Sequence, residues 1–102
     1  FQVVEEMPEF PGGMGECMKW LGKNIKYPTI AQENGVQGRV IIQFVVTKEG
    51  NIEEPVVANG VDPYLDAEAL RLIKAMPKWK PGKQRGKEVN VKYTLPIHFR
   101  LQ

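Results

Sequence analysis

His98 is the only histidine and Cys17 the only cysteine among 102 residues. A thiol with an imidazole base could make an activated nucleophile, but the two have no readable spacing between them. Together they also fall short of the four ligands of a closed zinc site. Cys17 lies on an apolar stripe with Met14, Met18, Leu21 and Ile25, at helical spacings of three and four, where a thiol acts as a small buried hydrophobe. His98 falls on the polar side of the C-terminal run. Asp66 and Glu68 are two apart on a helical pattern and point in different directions, so they form no acid–base pair. Gly12-Gly13 and Gly15 lack the Lys-Ser/Thr of a phosphate loop. These residue types point to no catalytic role for His98 or Cys17, no metal and no cofactor. Arg71 to Lys92 holds Arg71, Lys74, Lys78, Lys80, Lys83, Arg85, Lys87 and Lys92 against Glu88 alone. With Trp79 interleaved this resembles a nucleic-acid surface, yet a solvated loop that favours acidic peptides is the more economical reading. Trp20 and Trp79 read as packing residues rather than stacking platforms.

The bulk figures agree. Hydrophobic residues make up 42% and charged ones 25%, with a formal net charge of +2. That is one ordinary globular domain, with too little charge to imply nucleic acid by itself. No run approaches the ~18 apolar residues of a bilayer span, no signal peptide is visible, and one cysteine excludes an internal disulfide. The chain starts at Phe1 rather than Met, which reads as a piece of something longer.

Surface chemistry therefore rests on the elements, above all on Val89 to Gln102. Val89, Val91, Tyr93, Leu95, Ile97, Phe99 and Leu101 fall on one side, the polar residues and Pro96 on the other. This predicts a strand of about 45 Å with one buried face. Pro96 has no N–H to donate, so it belongs at an edge. In a regular strand, residues of one parity send their backbone groups the same way. The even-numbered groups of Asn90, Lys92, Thr94, His98 and Arg100 are therefore expected to face an unpaired edge, a surface that can accept an incoming strand.

Arg39–Thr47 is a second strand without proline or glycine, its core face formed by Val40, Ile42, Phe44 and Val46. Lys48-Glu49-Gly50-Asn51 reads as a hairpin turn. Ile52–Ala58 returns as a third strand, and Pro55 demotes it to the opposite edge. The spatial order is then 52–58, 39–47, 89–101. Asp62-Pro63 opens the strongest helix as N-cap and first-turn proline. Leu65, Ala69, Leu72, Ile73 and Met76 form its buried stripe, Asp66, Glu68, Arg71 and Lys74 stay in water, and Pro77 ends it. A helix over Met14 to Ile25, a short one from Pro28 to Gly35, and a possible strand over Phe1 to Glu6 complete the layout. Trp79-Lys80-Pro81-Gly82 turns the chain through a basic loop into the last strand. The fold class is α+β, a two-layer sandwich with a three-stranded antiparallel sheet and helices on one face.

Tyr27-Pro28, Ala31, Gly35 and Gly38 precede Val40, Phe44 and Val46. Gly50 follows, then Leu65-Asp66, Glu68-Ala69, Arg71, Met76-Pro77, Trp79, Pro81-Gly82, Pro96-Ile97 and Phe99. As an ordered set, from about Tyr27 to Leu101, these resemble the C-terminal domain of TonB-type energy transducers. Residues 1–26 then read as an N-terminal extension and 27–102 as the core of a single domain over 1–102. The resemblance implies a periplasmic domain of an inner-membrane-anchored protein, coupled through an upstream membrane helix to the ExbB–ExbD motor. It implies that the domain binds the TonB box on the plug of an outer-membrane receptor, as a strand added beside the last strand, and transmits energy for uptake. Tyr27-Pro28 matches the family segment near the receptor contact. Some members carry a basic residue two positions after that proline, where this chain has Ile30. A TonB-like peptide-binding domain of another assembly, such as an antibiotic-sensing membrane metallopeptidase, is the alternative; a small enzyme is a more distant one. A homodimer through two overhanging last strands stays open.

Overall fold

A computed structural model describes residues 4–101. Its elements in chain order are α1 (Met14–Asn24), α2 (Thr29–Glu33), β1 (Gly38–Val46), β2 (Ile52–Asn59), α3 (Pro63–Ala75), β3 (Gly82–Gln84), β4 (Lys87–Val89) and β5 (Val91–Phe99). β1 alternates and contains no proline, so it can be paired on both sides, and it forms the centre of a three-stranded antiparallel sheet in the order β2-β1-β5. The expected α+β class, strand order and edge positions are those observed.

Val40, Ile42, Phe44 and Val46 of β1 and Leu95, Ile97 and Phe99 of β5 turn one face of the sheet into the core. Leu65, Ala69, Leu72 and Ile73 of α3 meet them, all fully buried. α3 begins where its sequence requires: the Asp62 carboxylate accepts the N–H groups of Tyr64 and Leu65 at 2.9 and 3.1 Å, with Pro63 in the first turn. Phe10, Cys17 and Leu21 belong to the same core, so the N-terminal segment packs into the domain rather than beside it. Trp79 stands edge-on to Phe10, Phe44 and Tyr93, with ring centroids 5.1–5.9 Å apart, a favourable arrangement for aromatic quadrupoles.

The turn between β1 and β2 is locked from outside. Gly50 has φ 86°, and a Cβ there would lie 2.2 Å from the Trp79 carbonyl oxygen. The Trp79 N–H in turn donates to the Gly50 carbonyl at 2.9 Å. Only glycine satisfies both the backbone and the close approach.

Four expectations need correction. The last strand is not continuous from 89 to 101. Lys87–Val89 pairs instead with Gly82–Gln84 in a hairpin closed by Arg85 and Gly86, both at positive φ, as a two-residue turn of this hand requires. Asn90 separates the two pieces, its Oδ1 accepting the Lys48 N–H at 2.8 Å. The basic loop after Trp79 is thus partly a strand, hidden by short polar segments without alternation. Glu68 does not stay in water: it is 8% exposed. Met14 and Met18 lie outside the buried stripe of α1, 43% and 42% exposed. Of the strand anticipated over Phe1 to Glu6, residues 1–3 lie outside the described residues, and Glu6 makes a single bridge to Lys83.

Candidate functional site

A three-stranded sheet has two edges, and their backbones differ. Along β2, the register against β1 shifts twice, Glu54 adopts φ 52° and Pro55 follows it. Such an edge is twisted and broken, a usual protection against strand pairing. Along β5, nine consecutive pairs run from Gly38 opposite Phe99 to Val46 opposite Val91 without a shift. Among the described residues, no further strand lies beside the outer side of β5 from Thr94 onward. A regular edge of that length is a template for one more strand.

Pro96 sets which backbone groups point outward. It sits opposite Ile41, and a residue without an N–H fits the non-hydrogen-bonded pairs of an antiparallel ladder. Pairs of the same parity are Val45 with Lys92, Gln43 with Thr94 and Arg39 with His98. Their β5 members therefore turn N–H and C=O toward the open side, while Tyr93, Leu95 and Ile97 bond inward to β1. The side chains of Lys92, Thr94 and His98 are exposed on the face away from the core.

The sequence-derived site residues separate into two groups. Asn90 lies between β4 and β5, its side chain committed to Lys48. Lys92 lines a shallow cavity of about 270 Å³ with Gln43, Val45 and Glu54, near the start of β5. Tyr27, Pro28, His98 and Arg100 gather at the other end. Tyr27 packs edge-on to Phe99, centroids 5.7 Å apart, and its hydroxyl donates to the Val36 carbonyl. This ring anchors Pro28, the N-cap of α2, beside the last residues of β5. Just past β5, the Leu101 N–H donates to Gln37 Oε1 at 3.0 Å, extending the pairing by one step through a side chain. Arg100 borders two cavities there, of about 510 and 400 Å³, the first with Gln37, Arg39 and His98 and the second with Tyr27 and Gln32. Arg39 and Gln37 were not singled out from the sequence. Their place follows only from the register that sets Arg39 opposite His98.

The reactive side chains do not converge. Cys17 is fully buried on α1, and burial pushes its thiol up to about 11, so it stays protonated at neutral pH. His98 is on the exposed face of β5. The described residues contain no group of three or more His, Cys, Asp or Glu able to hold a metal ion.

Comparison with known proteins bears on the family and the fold. Residues 23–101 match the family model described as Gram-negative bacterial TonB protein C-terminal. The chain is 32% identical to a protein named TonB from Pseudomonas aeruginosa over 78 residues, 74% of this chain and 22% of that protein. It is 31% identical to one of the same name from Vibrio cholerae, covering 76% of this chain and 32% of that protein. The chain thus spans between a fifth and a third of the length of these relatives. Among solved structures, the TonB C-terminal domain of Helicobacter pylori superposes with a TM-score of 0.68 at 23% identity, over 87% of this chain and 80% of that one. The corresponding domain of P. aeruginosa gives 0.61 at 28% identity, over 76% and 78%. By sequence and by fold, the chain belongs to the family of TonB C-terminal domains.

Proposed function

We propose that this domain is the periplasmic, receptor-binding end of a TonB-type energy transducer, and that it grips an extended peptide of an outer-membrane receptor, the TonB box, by adding it as a fourth strand beside β5. The observation that carries this reading is the unbroken nine-residue register of β5 against β1, with no further strand of the described residues beside its outer side from Thr94 onward. Family membership and relatives named TonB support the wider role. In that role an upstream inner-membrane anchor links the domain to ExbB–ExbD, and the domain passes their work to the receptor. Backbone pairing suits the task. It engages any extended sequence, and side chains at Tyr27-Pro28 and along Lys92, Thr94, His98 and Arg100 select among them.

The test separates backbone pairing from folding. Thr94→Pro removes an outward N–H of the same parity as Pro96, whereas Tyr93→Pro removes an inward ladder bond and a ring of the aromatic cluster. An unmatched backbone group on the docked peptide costs about 1–3 kcal/mol, roughly five- to 150-fold in affinity. Thr94→Pro is expected to melt within a few degrees of the parent and to bind a TonB-box peptide far more weakly by calorimetry. Tyr93→Pro is expected to damage the fold. Undiminished peptide binding by a folded Thr94→Pro variant would exclude strand addition at this edge.

A further inference from the structure

The far end of the β5 edge carries a charge arrangement that strand pairing does not use. Arg39 and His98 are directly opposite in the register, in a pair of the same parity as Ile41 and Pro96. In such non-hydrogen-bonded pairs the Cα atoms approach to about 4.5 Å and the side chains stand close together. A guanidinium and an imidazole set directly opposite bring two donor groups together on one face of the sheet. Arg100 joins them on the wall of the same cavity, about 510 Å³ in volume. Gln37 joins too: its Oε1 is taken by the Leu101 N–H, while its Nε2 donates in no hydrogen bond among the described residues.

The cations are also unanswered. Neither Arg39 nor Arg100 forms an ion pair among the described residues. The cavity is therefore lined by donors: two guanidinium forks, an imidazole and a free amide. Guanidinium groups match the planar, two-oxygen geometry of a carboxylate. The charge sits where a strand docked on β5 would end, beside Phe99.

Resting on the reading that an extended peptide pairs with β5, we infer that the Arg39–His98–Arg100 cavity is a carboxylate subsite, which takes an Asp or Glu side chain at the end of the docked segment lying nearest Arg100. Backbone pairing alone has no sequence preference. A carboxylate subsite at one end gives the edge both a register and a direction, because only one alignment of an acidic residue satisfies it.

The test uses one receptor-derived TonB-box peptide of ten residues, blocked at both termini, with Glu, Gln or Lys placed at its first or its last position. Binding is measured by calorimetry to the parent domain, to Arg39→Gln/Arg100→Gln, and to Lys83→Gln/Lys87→Gln on the remote hairpin. At one of the two positions, Glu is expected to bind about five- to tenfold more tightly than Gln, with Lys weakest, as close but partly solvated charge pairs allow. That preference should vanish in Arg39→Gln/Arg100→Gln, shrink in about 0.5 M salt, and survive in Lys83→Gln/Lys87→Gln. Arg100→Glu should transfer the preference to Lys. Equal binding of all three peptides at both positions, with Thr94→Pro still weakening them, would overturn the subsite and leave strand addition standing. Loss of the preference in the remote variant as well would show a general field and overturn it too. If no peptide binds the parent domain, both readings fall.

Discussion

Glu68 is drawn onto the buried side of α3 by three donors. Its Oε1 accepts from Arg71 Nε at 2.6 Å, and its Oε2 from Arg71 Nη2 and the Lys26 N–H, both at 2.7 Å. Arg71 Nη2 also donates to the Asn24 carbonyl at 2.9 Å. One carboxylate thus ties the end of α1 to α3. Burial by itself would raise its pKa, but the hydrogen bonds from Arg71 and Lys26, with the Arg71 charge, outweigh burial and hold it below the usual 4.5. A depressed folded-state pKa stabilises the fold above the unfolded value, and that contribution is lost as pH falls through the folded one. Glu68→Gln sets an amide donor against a donor and should cost about 1–3 kcal/mol at pH 7. The difference between parent and variant should narrow below pH ~4.5 in denaturant melts, where a constant difference would contradict the assignment. Cys17 gives a second check at this scale. Its buried, protonated thiol should resist iodoacetamide at pH 8 in the native protein and react on addition of denaturant; rapid native labelling would place it elsewhere.

At the scale of elements, the contact of α3 with the sheet holds the two layers together. Leu65, Ala69, Leu72 and Ile73 are fully buried there. Leu72→Ala removes most of a close-packed side chain and leaves a cavity, so it should cost about 2–5 kcal/mol. A loss below about half a kcal/mol would mean that the stripe faces elsewhere. The apolar stripe and the Asp62-Pro63 start were both readable before folding. Glu68 was not, because its place depends on the Lys26 N–H, 42 positions away in the chain. Met14 and Met18 follow the same logic in reverse: their helical spacing matches Cys17 and Leu21, but the fold leaves both exposed.

For the whole molecule, an open edge raises the question of self-pairing. Outward backbone groups belong to even residues, so two β5 strands can pair antiparallel only even to even. Registers centred near Pro96 then set Lys92 of one copy beside His98 or Arg100 of the other, and each Pro96 leaves a gap in the ladder. Like charges and missing donors oppose that pairing. The domain is expected to sediment as a monomer at micromolar concentration and low salt. A stable dimer abolished by Thr94→Pro would show that the edge is satisfied by a second copy.

Local chemistry determined much of this protein in advance. Alternation set the faces of β1 and β5, Pro55 and Pro96 marked the two edges, and Asp62-Pro63 started α3, because strand period, a missing N–H and a capping carboxylate act within a few residues. The tertiary structure alone decided the rest. It split the last strand at Asn90, through a bond from Lys48 and a hairpin whose short polar strands carry no periodic signal. It buried Glu68 against a distant backbone N–H. It also set Arg39 beside His98 and brought Arg100 and Gln37 to the same cavity. Those side chains lie up to 63 positions apart in the chain, and only the β1–β5 register, which no single segment encodes, makes them neighbours.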